Sequence, residues 1–167
     1  MLKNRLTNPL AVGDIVEFQL EQDGIAWITK IEARKNYLIR KSVNLSKESH
    51  IIASNIDIAC FIFTLKFPET SLGFLDRFLA CCEAYNIKPL ILFNKTDTLN
   101  DEELSLLSEV ASIYESIGYE TLQTSSVSKE NLDILQGLIK DKISVFFGHS
   151  GCGKSTLVNA LQPDLNL

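Results

Sequence analysis

Two short segments of the chain carry residues whose types and spacing suit nucleotide chemistry, and residues 148–155 are the more specific of the two. They read Gly-His-Ser-Gly-Cys-Gly-Lys-Ser, which fits the phosphate-loop pattern G-x-x-x-x-G-K-[ST]. Glycines let successive backbone N–H groups turn inward at a helix N-terminus and bind an anion. We expect Lys154 to reach the β- and γ-phosphates and the Ser155 hydroxyl to bind Mg²⁺.

The residues that flank this loop predict the strand and helix that it requires. An apolar run at 143–147 indicates a strand, and 156–161 continues with helical spacing. A glycine-rich turn before an ordinary helix is the simpler alternative. However, a chance match to the pattern is expected in only about one chain in a hundred of this length. The nucleotide-binding residues predicted from this loop are Gly148, His149, Ser150, Gly151, Cys152, Gly153, Lys154, Ser155 and Thr156.

The second segment, Asn94-Lys95-Thr96-Asp97, directly follows a predicted strand. At the carboxyl edge of a parallel sheet, the spacing N-K-x-D places these groups in the ligand crevice. The two carboxylate oxygens of Asp97 can accept hydrogen bonds from N1–H and N2–H₂ of guanine, a donor pair that adenine lacks. A site built on such bonds can reject the wrong base by roughly 10⁴-fold. We expect Asn94 to tie this loop to the phosphate loop and the stem of Lys95 to pack on a ring face.

A turn rich in Asn and Asp is the simpler explanation of residues 94–97, but it loses weight because the same sheet carries a phosphate loop. An ATP-dependent kinase or ATPase using that loop is disfavoured by the N-K-T-D segment. A softer signal is the pair Ser125-Ser126, which directly follows the next predicted strand. The further predicted nucleotide-binding residues are Asn94, Lys95, Thr96, Asp97, Ser125 and Ser126.

The segment that contains both motifs has the pattern of an α/β domain. Four apolar runs, ending in the strand before the phosphate loop, alternate with three amphipathic segments. Near-continuous apolar strands are typical of a parallel sheet that is buried on both faces. We therefore predict a doubly wound, mainly parallel sheet. The predicted strands are 56–65, 89–93, 120–126 and 143–147, and the predicted helices cover 72–85, 100–117 and 132–139.

The first third of the chain predicts a different kind of structure. Short apolar runs at 14–20, 25–31 and 37–40 are separated by turns and indicate a small antiparallel sheet, part of a barrel without its first strands. Residues 42–55 are polar and are predicted to be irregular. The predicted division is a partial barrel at 1–44, a linker at 45–55 and a nucleotide-binding domain at 56–167.

Charge is distributed unevenly between these parts. Residues 1–50 have a net charge of +2, and the remainder has −7. A basic stretch with an interleaved aromatic residue can bind RNA, although such a stretch is more often a solvated face. The predicted RNA-binding residues are Lys30, Arg34, Lys35, Arg40 and Lys41.

Composition excludes several other classes. The four cysteines form no C-x-x-C pair and there are only two histidines, so we do not expect a zinc site within this chain. We expect free thiols in a reducing, cytoplasmic environment. No apolar run is long enough to span a bilayer, and residues 1–10 have no signal-peptide core, so no membrane partner is expected.

The order of the motifs is unusual, because N-K-T-D precedes the serine pair and both precede the phosphate loop. This is a circular permutation, which is tolerated because chain termini lie near one another at the surface. With the basic small barrel and I-A-S-N-I-D, this order resembles the RsgA family, the ribosome small subunit-dependent GTPases. The resemblance implies an N-terminal OB-fold, a circularly permuted GTPase domain and a C-terminal zinc-binding domain. It also implies GTP hydrolysis and rRNA binding during late maturation of the small ribosomal subunit.

The resemblance matches residues 94–97 to the guanine motif and 148–156 to the phosphate loop, with Cys152 where Val is usual. Only eleven residues follow Thr156. We therefore expect a fragment of a longer protein, without the switch Thr, the D-x-P-G motif and the zinc module. Mg²⁺ is expected with GTP or GDP, and Zn²⁺ only in that missing domain.

No catalytic residue can be named from the sequence. His149 lies at a position that the phosphate-loop pattern leaves free, so we interpret it as part of the loop backbone rather than as a catalytic group. The expected protein is a monomeric, cytoplasmic GTPase that binds GTP, GDP and the small ribosomal subunit through its rRNA. The alternative is a non-enzymatic RNA-binding module whose phosphate-loop domain senses nucleotide or is degenerate.

Overall fold

A computed structural model describes residues 5–6, 9–21, 24–41, 48–162 and 164, which form nine strands and four α-helices. The strands are β1 (Arg5–Leu6), β2 (Val16–Leu20), β3 (Ala26–Ile31), β4 (Tyr37–Lys41), β5 (Glu48–Ser54), β6 (Ile58–Phe63), β7 (Lys88–Asn94), β8 (Glu120–Thr124) and β9 (Ser144–Phe147). The helices are α1 (Leu72–Ala84), α2 (Asp101–Ser116), α3 (Leu132–Ile139) and α4 (Lys154–Leu161). No helix among these residues is long and apolar enough to cross a membrane.

The second part of the chain forms a four-stranded sheet in the order β8-β7-β6-β9. Every neighbouring pair of strands in it is parallel. β6 is buried at all six positions, which explains why its sequence is continuously apolar rather than alternating. The predicted parallel sheet is therefore confirmed, with each strand within two residues of its predicted bounds.

Helices cover both faces of this sheet, because successive side chains of a strand point to opposite sides. Phe61 and Phe63 pack into one core with residues of α1 and α2. Cys60 and Ile62 pack into a second core with residues of α3 and α4. The sheet is doubly wound, as predicted.

Local signals in the sequence account for the start and end of α2. The side chain of Asn100 accepts a hydrogen bond from the backbone N–H of Glu103, and the Glu103 carboxylate accepts one from the N–H of Asn100. This capping box satisfies two backbone donors that the helix leaves unpaired. Gly118 has a φ of +96° just beyond the helix, a left-handed conformation that glycine adopts at low cost. Residues next to the two ends of α2 therefore determine where the helix begins and ends.

The first part of the chain is a set of small β-sheets. β2 and β3 form an antiparallel hairpin, and β4 pairs antiparallel with β5. β1 adds to β5 in parallel. The predicted antiparallel pairing is confirmed, and the barrel, or OB-fold, remains a prediction.

The prediction that residues 42–55 are irregular is wrong for 48–54, which form β5. Glu48, Ser49 and His50 hid the strand, because its apolar residues occupy only the second half of the segment. Ile51 is 4% exposed, and the ladder pairs it with Ile39 of β4. Residues 42–47 lie outside the described part of the chain, and the domain limits themselves remain predictions.

The β4–β5 sheet is joined to the parallel sheet by a buried asparagine. The side chain of Asn36 is 5% exposed, accepts a hydrogen bond from the N–H of Ile56 at 2.7 Å and donates to its carbonyl oxygen at 2.8 Å. Leu38 belongs to the same apolar core as α1. These contacts fix the small sheet against the start of β6 and the core that contains α1.

Candidate nucleotide-binding site

The phosphate loop joins β9 to α4 and depends on its glycines. Gly153 has a φ of +96°, and a Cβ there would lie 2.7 Å from the side-chain nitrogen of Asn94. A Cβ on Gly148 would lie 2.8 Å from the carbonyl oxygen of Ile62, which is backbone and cannot move aside. The loop therefore lies close to β6 and to the end of β7, an approach that only glycine permits.

Cys152 is the residue of this loop whose side chain lies in the apolar core beneath the sheet. It is fully buried and packs in the apolar core formed by one face of the sheet with α3 and α4. A thiol behaves there as a small apolar group, which explains why it can stand where Val is usual. Its contribution to the site is its backbone carbonyl, which accepts a hydrogen bond from Asn94.

Cations and hydroxyls line the space where phosphates are expected. The Nζ of Lys154 donates to the carbonyl oxygens of Gly148 at 3.0 Å and His149 at 2.6 Å, so it lies across the loop. A cavity of about 370 Å³ opens beside it. Its lining residues are Lys95, Ser150, Gly151, Gly153, Lys154, Ser155 and Thr156. The positive charge and the N-terminus of α4 suit this cavity to an anion.

Mg²⁺ would find few protein ligands in this cavity, and the Ser155 hydroxyl on the exposed first turn of α4 is the one that the motif assigns to it. No cluster of three or more His, Cys, Asp or Glu residues in the described part of the chain could hold a metal by itself. Magnesium commonly takes few protein ligands and shares substrate phosphates and water. The residues present therefore fit a cation that is held jointly with a nucleotide.

Asn94 connects the guanine motif to the phosphate loop, as the sequence predicted. Its amide nitrogen donates to the carbonyl oxygen of Cys152 at 3.0 Å, and its amide oxygen accepts from the Thr124 hydroxyl at 3.1 Å. Asn94 is 4% exposed and Thr124 is fully buried. One side chain thus holds the end of β7, the end of β8 and the phosphate loop together.

Lys95 makes a second connection between the same loops. It has a left-handed backbone with a φ of +67°, which turns the chain sharply after β7. Its Nζ donates to the carbonyl oxygen of Gly151 at 2.7 Å and also to that of Phe67. The ammonium group therefore bridges the phosphate loop and the segment that follows β6.

Asp97 is held by the first residue of the predicted serine pair. The Ser125 hydroxyl donates to Oδ1 of Asp97 at 2.5 Å. The oxygen of that hydroxyl accepts the N–H groups of Val127 and Ser128, both at 3.1 Å. Because the loop after β8 folds around Ser125, the carboxylate is already oriented without a ligand.

Residues of both motifs surround a second cavity, of about 260 Å³. The hydroxyl of Ser126 is buried beside it and has no hydrogen-bond partner within the described residues. A buried polar group without a partner is costly unless a ligand or water satisfies it. The residues lining the cavity are Asn94, Lys95, Asp97, Thr98, Ser126, Val127, Gly153 and Thr156.

His149 faces the opposite side of the phosphate loop. Its ring centroid lies 4.3 Å from that of Phe74 in α1. Both rings line a cavity of about 740 Å³ together with Phe147 and Arg77. The side chain therefore packs the loop against α1.

Sequence reasoning missed several residues of this site, among them Phe67 and Glu130. Phe67 contributes a carbonyl oxygen, for which no side-chain pattern can exist. Glu130, in the loop after β8, accepts a hydrogen bond from Thr96 in the loop after β7. Its position five residues after Ser125 was the only available signal, and no motif marked it.

The predicted RNA-binding cations that the structure describes are engaged with carboxylates. Lys30 lies 2.7 Å from Glu17 and Glu32, and these contacts raise the pKa of its ammonium group. Lys35 lies 2.9 Å from Asp57. The side chains of Arg40 and Lys41 lie outside the described residues.

Arg34 differs from these lysines because its ion pair is buried. Its guanidinium donates to both oxygens of Asp14, at 2.6 and 2.7 Å, and the Asp14 side chain is 1% exposed. The Ser54 hydroxyl donates to the same carboxylate at 2.6 Å. The Arg34 hydrogen bond, with a smaller contribution from that of Ser54, holds the pKa of Asp14 well below its usual range despite burial.

Comparison with known proteins agrees with this geometry. The model of the RsgA GTPase family matches residues 31–167. The chain belongs to the RsgA GTPase family. The small ribosomal subunit biogenesis GTPase RsgA of Bacteroides fragilis is 48% identical over 163 residues, which cover 98% of this chain and 53% of that relative. The RsgA of Flavobacterium johnsoniae is 49% identical over 164 residues, covering 96% and 50%.

Two solved structures share both the fold and a clear sequence similarity with this chain. YjeQ from Thermotoga maritima has a TM-score of 0.79 and 32% identity over 95% of this chain and 53% of that one. YloQ, described as a circularly permuted GTPase, has a TM-score of 0.68 and 35% identity over 98% and 53%. The chain therefore spans about half the length of the RsgA relatives it matches, and the predicted family and fold are confirmed.

Proposed function

We propose that this chain binds GTP and GDP, and that the whole protein hydrolyses GTP to GDP and phosphate. The observation that carries the proposal is the hydrogen bond between Asn94 and Cys152, because it joins a guanine-type motif to a phosphate loop across 58 residues. A purine nucleotide spans a base and a phosphate site at a fixed separation. Side chains that fix these two loops together provide that separation before the ligand arrives.

Guanine is the base that the polar groups favour. The Asp97 carboxylate, oriented by Ser125, presents acceptors for the adjacent N1–H and N2–H₂ donors of guanine. Adenine would leave the carboxylate unpaired at that edge and so bind far more weakly. The unpartnered Ser126 hydroxyl adds a polar group at the wall of the same cavity.

Lys154 and Ser155 are the groups that we assign to the phosphates and to Mg²⁺. Lys154 would exchange its two loop carbonyl partners for phosphate oxygens, which are stronger acceptors for an ammonium group. Mg²⁺, when bound, neutralises charge on the phosphates during transfer to water. The chain's own residues position the nucleotide and balance its charge.

The small ribosomal subunit and its rRNA are the partners we propose for the whole protein. The support is the name of the matched relatives, which are biogenesis GTPases of that subunit. Within the described residues, Lys30 and Lys35 are 55% and 64% exposed and can exchange their carboxylate partners for phosphates of RNA. We further propose that the protein acts as a monomer in the cytoplasm, with Arg40 and Lys41 as additional RNA contacts.

Calorimetry with Mg²⁺ present tests the proposal by comparing GDP with ADP. We expect GDP to bind and ADP to bind at least about 10³-fold more weakly, because adenine lacks the donor pair that the Asp97 carboxylate would accept. Equal affinity for the two would overturn the guanine assignment. Asp97→Asn supplies the second arm: its amide can donate to the C2 carbonyl of xanthine, so preference should shift from GDP toward xanthosine diphosphate.

A further inference from the structure

Glu130 joins the two guanine loops through its side chain and its backbone. Its Oε2 lies 2.5 Å from the hydroxyl of Thr96, and its carbonyl oxygen accepts the N–H of Ser125 at 3.4 Å. It lies between two residues with left-handed backbones, Lys129 with a φ of +62° and Asn131 with a φ of +54°. This double turn brings the carboxylate to Thr96, just beyond the end of β7.

The contact acts on the residue next to the base-reading carboxylate. Thr96 is 5% exposed and begins the 3₁₀ turn Thr96–Thr98, which contains Asp97. The Thr96 hydroxyl has a single proton and two acceptors in reach, Glu130 at 2.5 Å and the carbonyl of Thr124 at 3.2 Å. The shorter, charge-assisted bond is the stronger of the two, so Glu130 determines how this hydroxyl is oriented.

We propose that Glu130 is a positioning residue for guanine recognition. It holds the Thr96–Thr98 turn against the loop after β8, so that Asp97 and Ser125 stay paired before the base binds. This inference rests on the proposed function, guanine nucleotide binding. Fixing a recognition group in its bound orientation lowers the entropic cost of binding. Here it strengthens binding of the base rather than of the phosphates.

Charge and positioning predict opposite effects for removal of Glu130, which makes the inference testable. A carboxylate in a site for an anion repels the ligand, so its removal through charge alone would strengthen nucleotide binding. Loss of positioning would weaken it instead. Glu130→Gln separates the two, because its amide oxygen still accepts the Thr96 proton while the charge is gone.

The experiment compares GDP with inosine diphosphate by calorimetry, using the 167-residue chain with Mg²⁺. Inosine lacks the 2-amino group, so it forms only one of the two hydrogen bonds available at Asp97. We expect Glu130→Ala to weaken GDP binding by about three- to tenfold and to narrow the GDP-to-IDP affinity ratio. Glu130→Gln should retain the ratio. The matched control is Glu120→Ala, which removes a carboxylate 2.7 Å from Lys88 at the amino ends of the strands, away from the loops after β7 and β8. It should retain both the GDP affinity and the GDP-to-IDP affinity ratio.

Thr96→Val removes the same hydrogen bond from the other side and serves if Glu130→Ala does not fold. It should narrow the ratio to a similar extent, and the double variant should add little. A parent chain that bound no GDP would refute both the proposed function and this inference. A parent that bound GDP, with an unchanged ratio in the folded Glu130→Ala or Thr96→Val chain, would refute the role of Glu130 alone.

Discussion

The side-chain amide of Asn94 donates to the carbonyl oxygen of Cys152, so the end of β7 is bound directly to the phosphate loop. The same amide accepts the hydroxyl proton of Thr124 from the end of β8. Three segments that are distant in sequence therefore meet on one side chain. Both of its polar atoms are paired, and it is almost fully buried. The two loops that we propose bind the base and the phosphates consequently depend on a common residue.

Asn94→Ala should therefore weaken nucleotide binding and destabilise the fold together. It leaves the Cys152 carbonyl and the Thr124 hydroxyl without their partner, and each such loss costs about 1–3 kcal/mol. We expect the midpoint of urea unfolding to fall and GDP affinity to drop by about tenfold or more. Asn94→Asp is informative beside it, since it keeps the acceptor and loses the donor. Unchanged GDP affinity in Asn94→Ala would contradict the linking role.

Two glycine-to-alanine substitutions should differ in effect: Gly153→Ala should weaken GDP binding, and Gly137→Ala should stabilise the fold. In Gly153→Ala the new methyl group would lie 2.7 Å from the Asn94 amide at a backbone φ of +96°. GDP binding should be lost or reduced by at least about a hundredfold, because the strain and the displaced amide each cost on the order of 1–3 kcal/mol. Gly137→Ala in α3 meets no neighbour within 4 Å and should raise stability by about 0.5–1 kcal/mol. Thermal unfolding and calorimetry of both variants check this pair.

The buried Asp14–Arg34 pair should make stability depend on acid pH. Since the folded pKa of Asp14 is lowered, its stabilising contribution is present above the unfolded pKa of about 4 and declines as the pH falls from there toward the folded pKa. Asp14→Asn should flatten the fall in urea-unfolding free energy below about pH 4. The control is Asp133→Asn, which removes an exposed carboxylate of α3. An identical pH slope in Asp14→Asn and the parent would argue against the pair.

Arg34→Met should affect stability more than RNA binding. It leaves the Asp14 carboxylate buried with fewer donors, at a cost of about 2–3 kcal/mol in the free energy of unfolding. Lys30→Glu with Lys35→Glu should instead lower affinity for a small-subunit rRNA fragment. It should also reduce the slope of log affinity against log salt by about one unit for each RNA phosphate that the variant no longer binds. An unchanged slope in the double lysine variant would remove these lysines from the RNA surface.

The cysteines should differ in their rates of alkylation. Burial raises the pKa of the Cys60 and Cys82 thiols to about 12, so very little of the reactive thiolate form is present at pH 8. Cys81 is partly exposed and its pKa is raised less strongly by burial. Iodoacetamide labelling followed by peptide mass spectrometry should find Cys81 modified before Cys60 and Cys82. In urea all three should react at similar rates, and native labelling of Cys60 as fast as Cys81 would be inconsistent with this fold.

The parts of the site that sequence could predict are those encoded by local patterns. The phosphate loop combines glycines, a lysine and a hydroxyl within eight residues, and its flanks have the periodicities of a strand and a helix. The strands of the parallel sheet are continuously apolar because both faces are buried. Asn100 and Gly118 mark the limits of α2 by simple stereochemistry. These signals do not depend on distant residues.

The parts that could not be predicted depend on partners distant in the sequence. β5 is recognisable only through its pairing with β4, since four of its seven residues are polar. Arg34 resembles a solvated cation in the sequence, and only the fold places Asp14, twenty residues earlier, beside it. Glu130 has no motif, and its role follows from a backbone double turn that brings it to Thr96. In each case tertiary geometry decides what a residue type alone leaves open.

The position of β9 at the edge of the described sheet has a consequence for synthesis. Its hydrogen-bonded neighbour β6 and the strands β7 and β8 all precede it in the chain. The loops after β7 and β8, which we propose bind the base, are therefore complete by residue 131. Residues 148–155 leave the ribosome later, by about one to five seconds at roughly 5–20 residues per second. β9 adds to a sheet edge that already exists and needs no rearrangement of the older strands. Under the proposed function, nucleotide capture therefore has to wait until residues 148–155 have joined the older loops.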